Sequence, residues 1–374
     1  MGRQTEKQHK RSGVLICGAY GMNNNGDEAV LEAIVREMRS IDAELPITVL
    51  SRTPAATAER YGVDSLHMFD LFGFLRVMRR SALYINGGGS LIQDVTSSRS
   101  LWYYLYTLAA AKHRGCRVMM YGCGIGPVSR AFDRRLSGFV IDRCVDEISL
   151  REENSLRELE RFGVKRPHIS VAGDPAITLT PVSGAELDEK MSALGLEPDG
   201  NTIGFCLRNW RGFEDKAACF ARAADECYFR RGLTPVFIAV NSSGDGSAAE
   251  KVTALMKAPF VCVSEPLSPA LTAGILGRMR AVVSIRLHGL IFALSRCVPV
   301  AGVVYDPKVS AFLDYAQVEN YLMLNDLTDE GLSQLIGTAL AADRDALRAQ
   351  YERLLDIERA HLLAARRLLD KEEP

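Results

Sequence analysis

Apolar residues along this chain fall into two patterns, short β-branched runs and longer stretches with a helical period. Val14–Cys17, Ile47–Leu50, Leu83–Ile85, Val118–Tyr121, Ile148–Leu150 and Ile169–Ala172 read as buried strands. Amphipathic helices lie between them. The clearest covers Asp27–Ile41, where Val30, Ala33, Ile34, Met38 and Ile41 share one face. Such alternation predicts a parallel, doubly wound α/β sheet. A short helix at Leu187–Leu194 leads to Glu197-Pro198-Asp199-Gly200-Asn201, turn chemistry that resets the pattern. A second alternating set follows, with strands at Ile203–Leu207, Pro235–Val240, Phe260–Val263, Val282–Ile285 and Val298–Val303. Its helices are expected at Phe213–Arg230, Gly246–Met256, Pro269–Leu276 and Leu290–Ser295, and Asp345–Lys371 forms a long charged one. The expected division is a polar tail over 1–12, a first domain over 13–181, a linker over 182–200, a second domain over 201–344 and a C-terminal helix over 345–374.

A length of 374 residues suits two α/β cores better than one. The formal charge of −1 gives no global field for nucleic acid, so positive charge has to act locally. Nine scattered cysteines without a Cys-x-x-Cys argue against a disulfide framework or a zinc site and for a reducing compartment. Cys17 and Cys262 read as small core residues. No stretch reaches the ~18–20 apolar residues of a membrane span, and the expectation is a cytoplasmic protein with a frayed amino terminus. Leu71–Arg80 and Leu101–Tyr106 are apolar and aromatic-rich, and Arg366 and Arg367 add charge to the tail helix. Packing is the favoured explanation for them, with contact on an anionic membrane surface as the alternative.

The densest chemistry lies in Ala281–Leu294, where a strand-like run meets a helix-like run at Arg286-Leu287-His288-Gly289. Open α/β sheets bind ligands at that edge, and a fixed cation beside a titratable imidazole suits an anionic substrate that needs a proton. Arg208 follows the first strand of the second set. Lys308 follows Pro307 at an expected helix start, where a cation is disfavoured unless an anion joins it. Gly18–Gly26 and Asn86–Ser90 (with Gly87, Gly88 and Gly89) are glycine-rich corners, readable as anion contacts or simply as tight turns. Neither has Gly-x-Gly-x-x-Gly spacing, and no P-loop occurs. Asp27 and Glu28 stand in the first turn of a helix, where the dipole favours carboxylates in any case. No histidine pair has a metal-binding spacing.

Four stretches in order, Gly18–Leu31, Asn86–Asp94, Arg286–Gly289 and Tyr305–Val309, resemble the polysaccharide pyruvyl transferases, nearest to the bacterial cell-wall and surface-polysaccharide branch. The likeness runs from about Val14 to about Leu340. It implies two Rossmann-like domains facing a cleft in a GT-B-like arrangement, acceptor side first and donor side second. It also implies transfer of a pyruvyl group from phosphoenolpyruvate to a glycan acceptor, lipid-linked or free; on charge matching no metal is expected, and no cofactor. On that resemblance His288 is the general acid, and Arg208, Arg286, Leu287 and Lys308 hold the donor. Asn23, Asp27, Glu28, Gly87, Gly88, Gly89 and Asp94 line the acceptor side. Arg208, Arg286 and Lys308 are expected to neutralise the donor between them. The base is open among Asp27, Glu28 and Asp94, with Asp245 a poorer candidate. A nucleotide-sugar glycosyltransferase and a non-catalytic glycan-binding protein are the rival readings.

Overall fold

The computed structural model describes residues 11–370 apart from 96, 199, 242, 243 and 264. Most of the expected frayed tail, Asp199 of the expected turn and the chain end from Lys371 lie outside the described residues. The first sheet contains β1 (Val14–Cys17), β2 (Ile47–Ser51), β3 (Asp64–His67), β4 (Leu83–Gly87), β5 (Arg117–Cys123), β6 (Glu147–Leu150) and β7 (His168–Val171). Its helices are α1 (Asn25–Ile41), α2 (Pro54–Tyr61), α3 (Leu71–Met78), α4 (Ser98–His113), α5 (Ala131–Cys144) and α6 (Glu153–Phe162). After α7 (Gly184–Ala193), the second sheet contains β8 (Thr202–Cys206), β9 (Thr234–Ile238), β10 (Val261–Val263), β11 (Val282–Ser284), β12 (Val300–Val304) and β13 (Tyr321–Met323). Its helices are α8 (Ala217–Arg231), α9 (Gly246–Thr253), α10 (Pro269–Leu276), α11 (Leu287–Leu294), α12 (Pro307–Tyr315) and α13 (Asp329–Leu340), and α14 (Arg344–Leu368) closes the chain.

Both sheets are parallel, with strand orders β3-β2-β1-β4-β5-β6-β7 and β10-β9-β8-β11-β12-β13. The order reverses between β1 and β4 and again between β8 and β11, and a doubly wound sheet opens its ligand crevice at such a point. Central strands such as β1 are buried on both faces and read as continuous apolar runs. The two strands that the hydrophobic pattern does not reveal, β3 and β13, are both sheet edges. They are short and partly exposed, so no apolar face marks them. Cys17 is buried as expected, but Cys262 is exposed, because β10 is an edge strand.

The halves share a core. One apolar cluster includes Ile34 and Met38 of α1, Leu290 and Ile291 of α11, and Leu354 and Ala364 of α14. A fully buried aliphatic side chain contributes roughly 1.5–3 kcal/mol, so this seam is a substantial part of the fold. Polar links pin it: Asn24 forms a β-bridge with Asn241, Asn25 N–H donates to Val240 O (3.2 Å) and Asn25 Nδ2 donates to Thr272 Oγ1 (3.0 Å). From beyond the second sheet, α14 returns to the first. There His361 Nδ1 pairs with Ser149 Oγ (2.7 Å), His361 Nε2 meets Gly173 O (3.0 Å), and Arg367 pairs with Glu147 at 3.1 Å.

Candidate active site

Strand β11 ends at Ser284, whose hydroxyl donates to Arg286 O (2.7 Å), and Arg286 is the last extended residue before α11. The helix begins at Leu287, earlier than the expected Leu290. Gly289 lies inside it, because the missing side chain lets the helix rest on Cys206 and Ser284. His288 therefore occupies the first turn and reaches across the seam to α1. There a Cβ on Gly26 would overlap the imidazole, so that position needs glycine for room.

The His288 side chain is only 14% exposed, and its Nε2 lies 3.7 Å from Asp174 Oδ2. Neither atom has a hydrogen-bond partner within the described residues, a state that buried polar atoms rarely keep unless something else meets them. Burial pushes the His288 pKa down to about 4; Arg151, Lys308 and Arg286 push the same way, and Asp174 opposes them. The imidazole is neutral at pH 7.

The expected cations gather on the second sheet's side. The Arg208 guanidinium donates to Tyr305 Oη and lies over the rings of Trp210 (4.6 Å) and Tyr305 (4.9 Å). Lys308 Nζ lies 5.8 Å from the centre of the same tyrosine ring. Burial lowers its pKa to about 8, with Arg151, Arg208 and Arg286 adding to the shift and Asp306 resisting it. Among the described residues neither Arg208 nor Lys308 has a carboxylate partner. Arg286 differs. Its Nε donates to Asp245 Oδ1 at 2.8 Å, a second bond runs from Nη2, and the Asp245 side chain is 2% exposed. Asp245 also accepts the Asn241 N–H (2.8 Å). Of the three cations expected to neutralise the donor, Arg286 is therefore balanced by Asp245, whereas Arg208 and Lys308 have no carboxylate within ion-pair distance among the described residues.

The acidic candidates separate just as sharply. Glu28 accepts from Gly21 N–H (2.7 Å) and Tyr61 Oη (2.7 Å), pinning the loop ahead of α1. Asp94 accepts the N–H groups of Ser129 and Arg130 at 2.8–2.9 Å and caps the start of α5. Burial acts to raise its pKa, but those N–H groups hold it below the usual range. Asp245 serves Arg286. Asp27 alone among the four has no such structural duty. It accepts one bond from Asn24 Nδ2 (2.5 Å) and abuts Gly89, and its pKa is raised to about 6, chiefly by burial. Asn24 and Arg151 pull that pKa down, while Glu28 and Asp174 add to the rise.

The glycine corners are stitched inward. Gly87 O accepts from Tyr20 Oη (2.7 Å), Gly88 N–H donates to Tyr121 O (2.8 Å) and Gly89 O accepts from Gly124 N–H (2.9 Å). Gly21 and Gly26 N–H groups are likewise taken, by Glu28 and Asn24. Asn23 is exposed at φ 56°, and the Leu287 side chain is buried in the shared core.

Two residues were not anticipated. Arg151, at the end of β6, bonds Glu152 Oε2 (2.7 Å) and Ser90 Oγ (2.9 Å) and lies 3.7 Å from Asp174 Oδ2. Asp174, just beyond β7, thereby touches both Arg151 and His288. The strand-end rule that singled out Arg208 and Arg286 applies equally to them.

Two facing parallel sheets with a cleft at their strand ends define a protein of the GT-B class. A glycosyltransferase from Rickettsia africae superposes with a TM-score of 0.63 at 10% identity, over 97% of this chain and 100% of that one. UDP-GlcNAc 2-epimerase from Methanocaldococcus jannaschii gives 0.62 at 12% identity, over 88% and 93%. HepE of Anabaena, solved with UDP-glucose, gives 0.63 at 12%, over 96% and 99%. Identities this low speak for the fold alone. The chain belongs to the polysaccharide pyruvyl transferase family, whose profile matches residues 24–307. No curated protein sequence matches it.

Proposed function

We propose that this protein transfers the pyruvyl group of phosphoenolpyruvate to two hydroxyls of one sugar in a cell-wall or surface glycan, forming a cyclic ketal and releasing phosphate. The observation that carries this reading is that Arg208 and Lys308 have no carboxylate within ion-pair distance among the described residues, while Lys308 acts on a neutral, buried His288. Phosphoenolpyruvate brings a carboxylate and a phosphate of roughly −1.5 to −2. Two such cations suit that charge, and the Arg208 guanidinium can hold either anion bidentately.

A neutral imidazole cannot give a proton, so donor binding has to raise the His288 pKa. The anionic donor does so by reversing the field of the surrounding cations. The imidazolium then protonates the methylene carbon, and the first sugar hydroxyl attacks the resulting cation. Asp27, raised toward neutrality, accepts that hydroxyl's proton and passes it to the departing phosphate. The second hydroxyl closes the ring and returns its proton to His288. Asp174 orients the ring and offsets its charge while it is protonated. We assign the reaction to the cytoplasm on the strength of the unpaired cysteines. Among the described residues no helix is long and apolar enough to cross a membrane.

Thermal unfolding with candidate ligands tests the donor. Phosphoenolpyruvate should raise the melting temperature, and incubation with a glycan acceptor should release phosphate. Protection by UDP-sugars instead would transfer the site to the glycosyltransferase reading.

A further inference from the structure

Much of the large apolar surface that this protein exposes lies on one layer of the first half, helices α3, α4 and α5 with their leading turns. Phe69 and Phe72, Trp102 and Tyr106, and Phe132 and Phe139 stand out from it in three pairs, Phe72 at 83% exposure and Phe132 at 67%. The pairs adjoin. Phe69 meets Tyr103 of α4 edge-on at 5.9 Å, and Trp102 Nε1 donates to Asp133 of α5 (2.8 Å). Packing accounts for the inward positions Phe74, Leu101, Tyr104 and Leu105, which are buried, but not for these six.

The charge of the same layer is just as uneven. The three helices carry Arg76, Arg99, Lys112, Arg134, Arg135 and Arg143 against Asp133 and Asp142, in a chain of net charge −1. Both acids are occupied: Asp133 is buried under Trp102 and Ser98, and Asp142 accepts the N–H groups of Lys165 and Arg166. Apart from Lys112, which pairs with Asp146, the basic side chains have no carboxylate partner among the described residues. Arg143 lies over the Phe139 ring at 4.8 Å.

Aromatic side chains interleaved with unpaired arginines match the interface of an anionic bilayer, where rings enter the headgroup layer and guanidinium groups meet phosphate. We infer that this layer docks the protein on an anionic lipid surface. Phe72, Trp102 and Phe132 stand near the starts of helices that leave the carboxyl edge of the first sheet, the edge that also carries Asp27 and Gly89. An acceptor held at that surface would meet the cleft without leaving it. Arg366 and Arg367 take no part in this, since α14 lies on the first sheet and Arg367 is paired with Glu147.

The test needs neither donor nor acceptor, so it is independent of the proposed chemistry. Sedimentation with phosphatidylcholine vesicles, with and without phosphatidylglycerol, should show binding only to the anionic ones and release by salt. Arg134→Glu with Arg135→Glu should weaken it by at least ~10-fold, and Phe72→Ser with Phe132→Ser comparably. Both variants should keep the wild-type melting temperature, since all four side chains are exposed. No binding, equal binding to both vesicles, or binding untouched by these substitutions would overturn the inference. So would a solution dimer that the same substitutions dissociate in the absence of lipid affinity.

Discussion

At the carboxyl edge of the second sheet, Arg208 and Lys308 have no carboxylate within ion-pair distance among the described residues, whereas at the first sheet's edge Arg151 is held between Glu152 and Asp174. The first sheet's glycine corners are also taken up within their own half, and of its candidate acids Asp27, Glu28 and Asp94 only Asp27 has no loop or helix start to hold. One half therefore supplies cations outside any ion pair among the described residues, and the other supplies a largely bonded frame in which Asp27 is the pliable candidate acid. Arg286 belongs by position to the second half but by electrostatics to the frame, because Asp245 balances it. Charge left unbalanced is charge a ligand can use; charge already matched holds the structure.

That contrast can be broken most severely at the residue between the halves. His288→Ala should cut turnover by ~10²–10⁴ while leaving donor binding near normal, as measured by steady-state kinetics alongside a donor titration; wild-type turnover would remove its role. Arg286→Ala should behave as a fold lesion. It strands the buried Asp245 carboxylate and should lower unfolding stability by about 3–5 kcal/mol, read by chemical denaturation.

Arg208→Ala should do the reverse, keeping stability and weakening the donor by ~10–100-fold, the worth of one charge-assisted contact. Equal stability losses in the two arginine variants would erase the distinction between frame and ligand charge.

A finer probe is pH. With a pKa near 8 in the free protein, Lys308 is protonated below that value and neutral above it. A bound anion favours the protonated form, so binding above pH 8 has to take up a proton. Donor affinity should thus fall by up to ~10-fold per pH unit above 8, and Lys308→Arg should flatten the profile. An unchanged slope in that variant would place the titration elsewhere.

Periodicity alone located both sheets' inner strands, because a strand buried on two faces has to be apolar throughout. It passed over β3 and β13, edge strands whose pairing is decided by neighbours rather than by their own composition. The residues at the strand ends were legible for a similar reason: Arg208, Arg286 and His288 follow apolar runs directly, and the chain's topology brings such corners together. Arg151 and Asp174 follow the same rule but sit among other charges, which hid them.

What the amino-acid order determined by itself is the alternation of elements and the set of polar groups delivered to the cleft edge, since both follow from local pattern. Only the tertiary structure decided which of those groups have partners. Asp245 finds Arg286 from another strand, Glu28 finds Tyr61, and Asp94 finds the start of α5. Such pairings are set by contacts between residues distant in sequence, and it is they that occupy Arg286, Glu28 and Asp94 while Arg208 and Lys308 keep no ion-pair partner among the described residues.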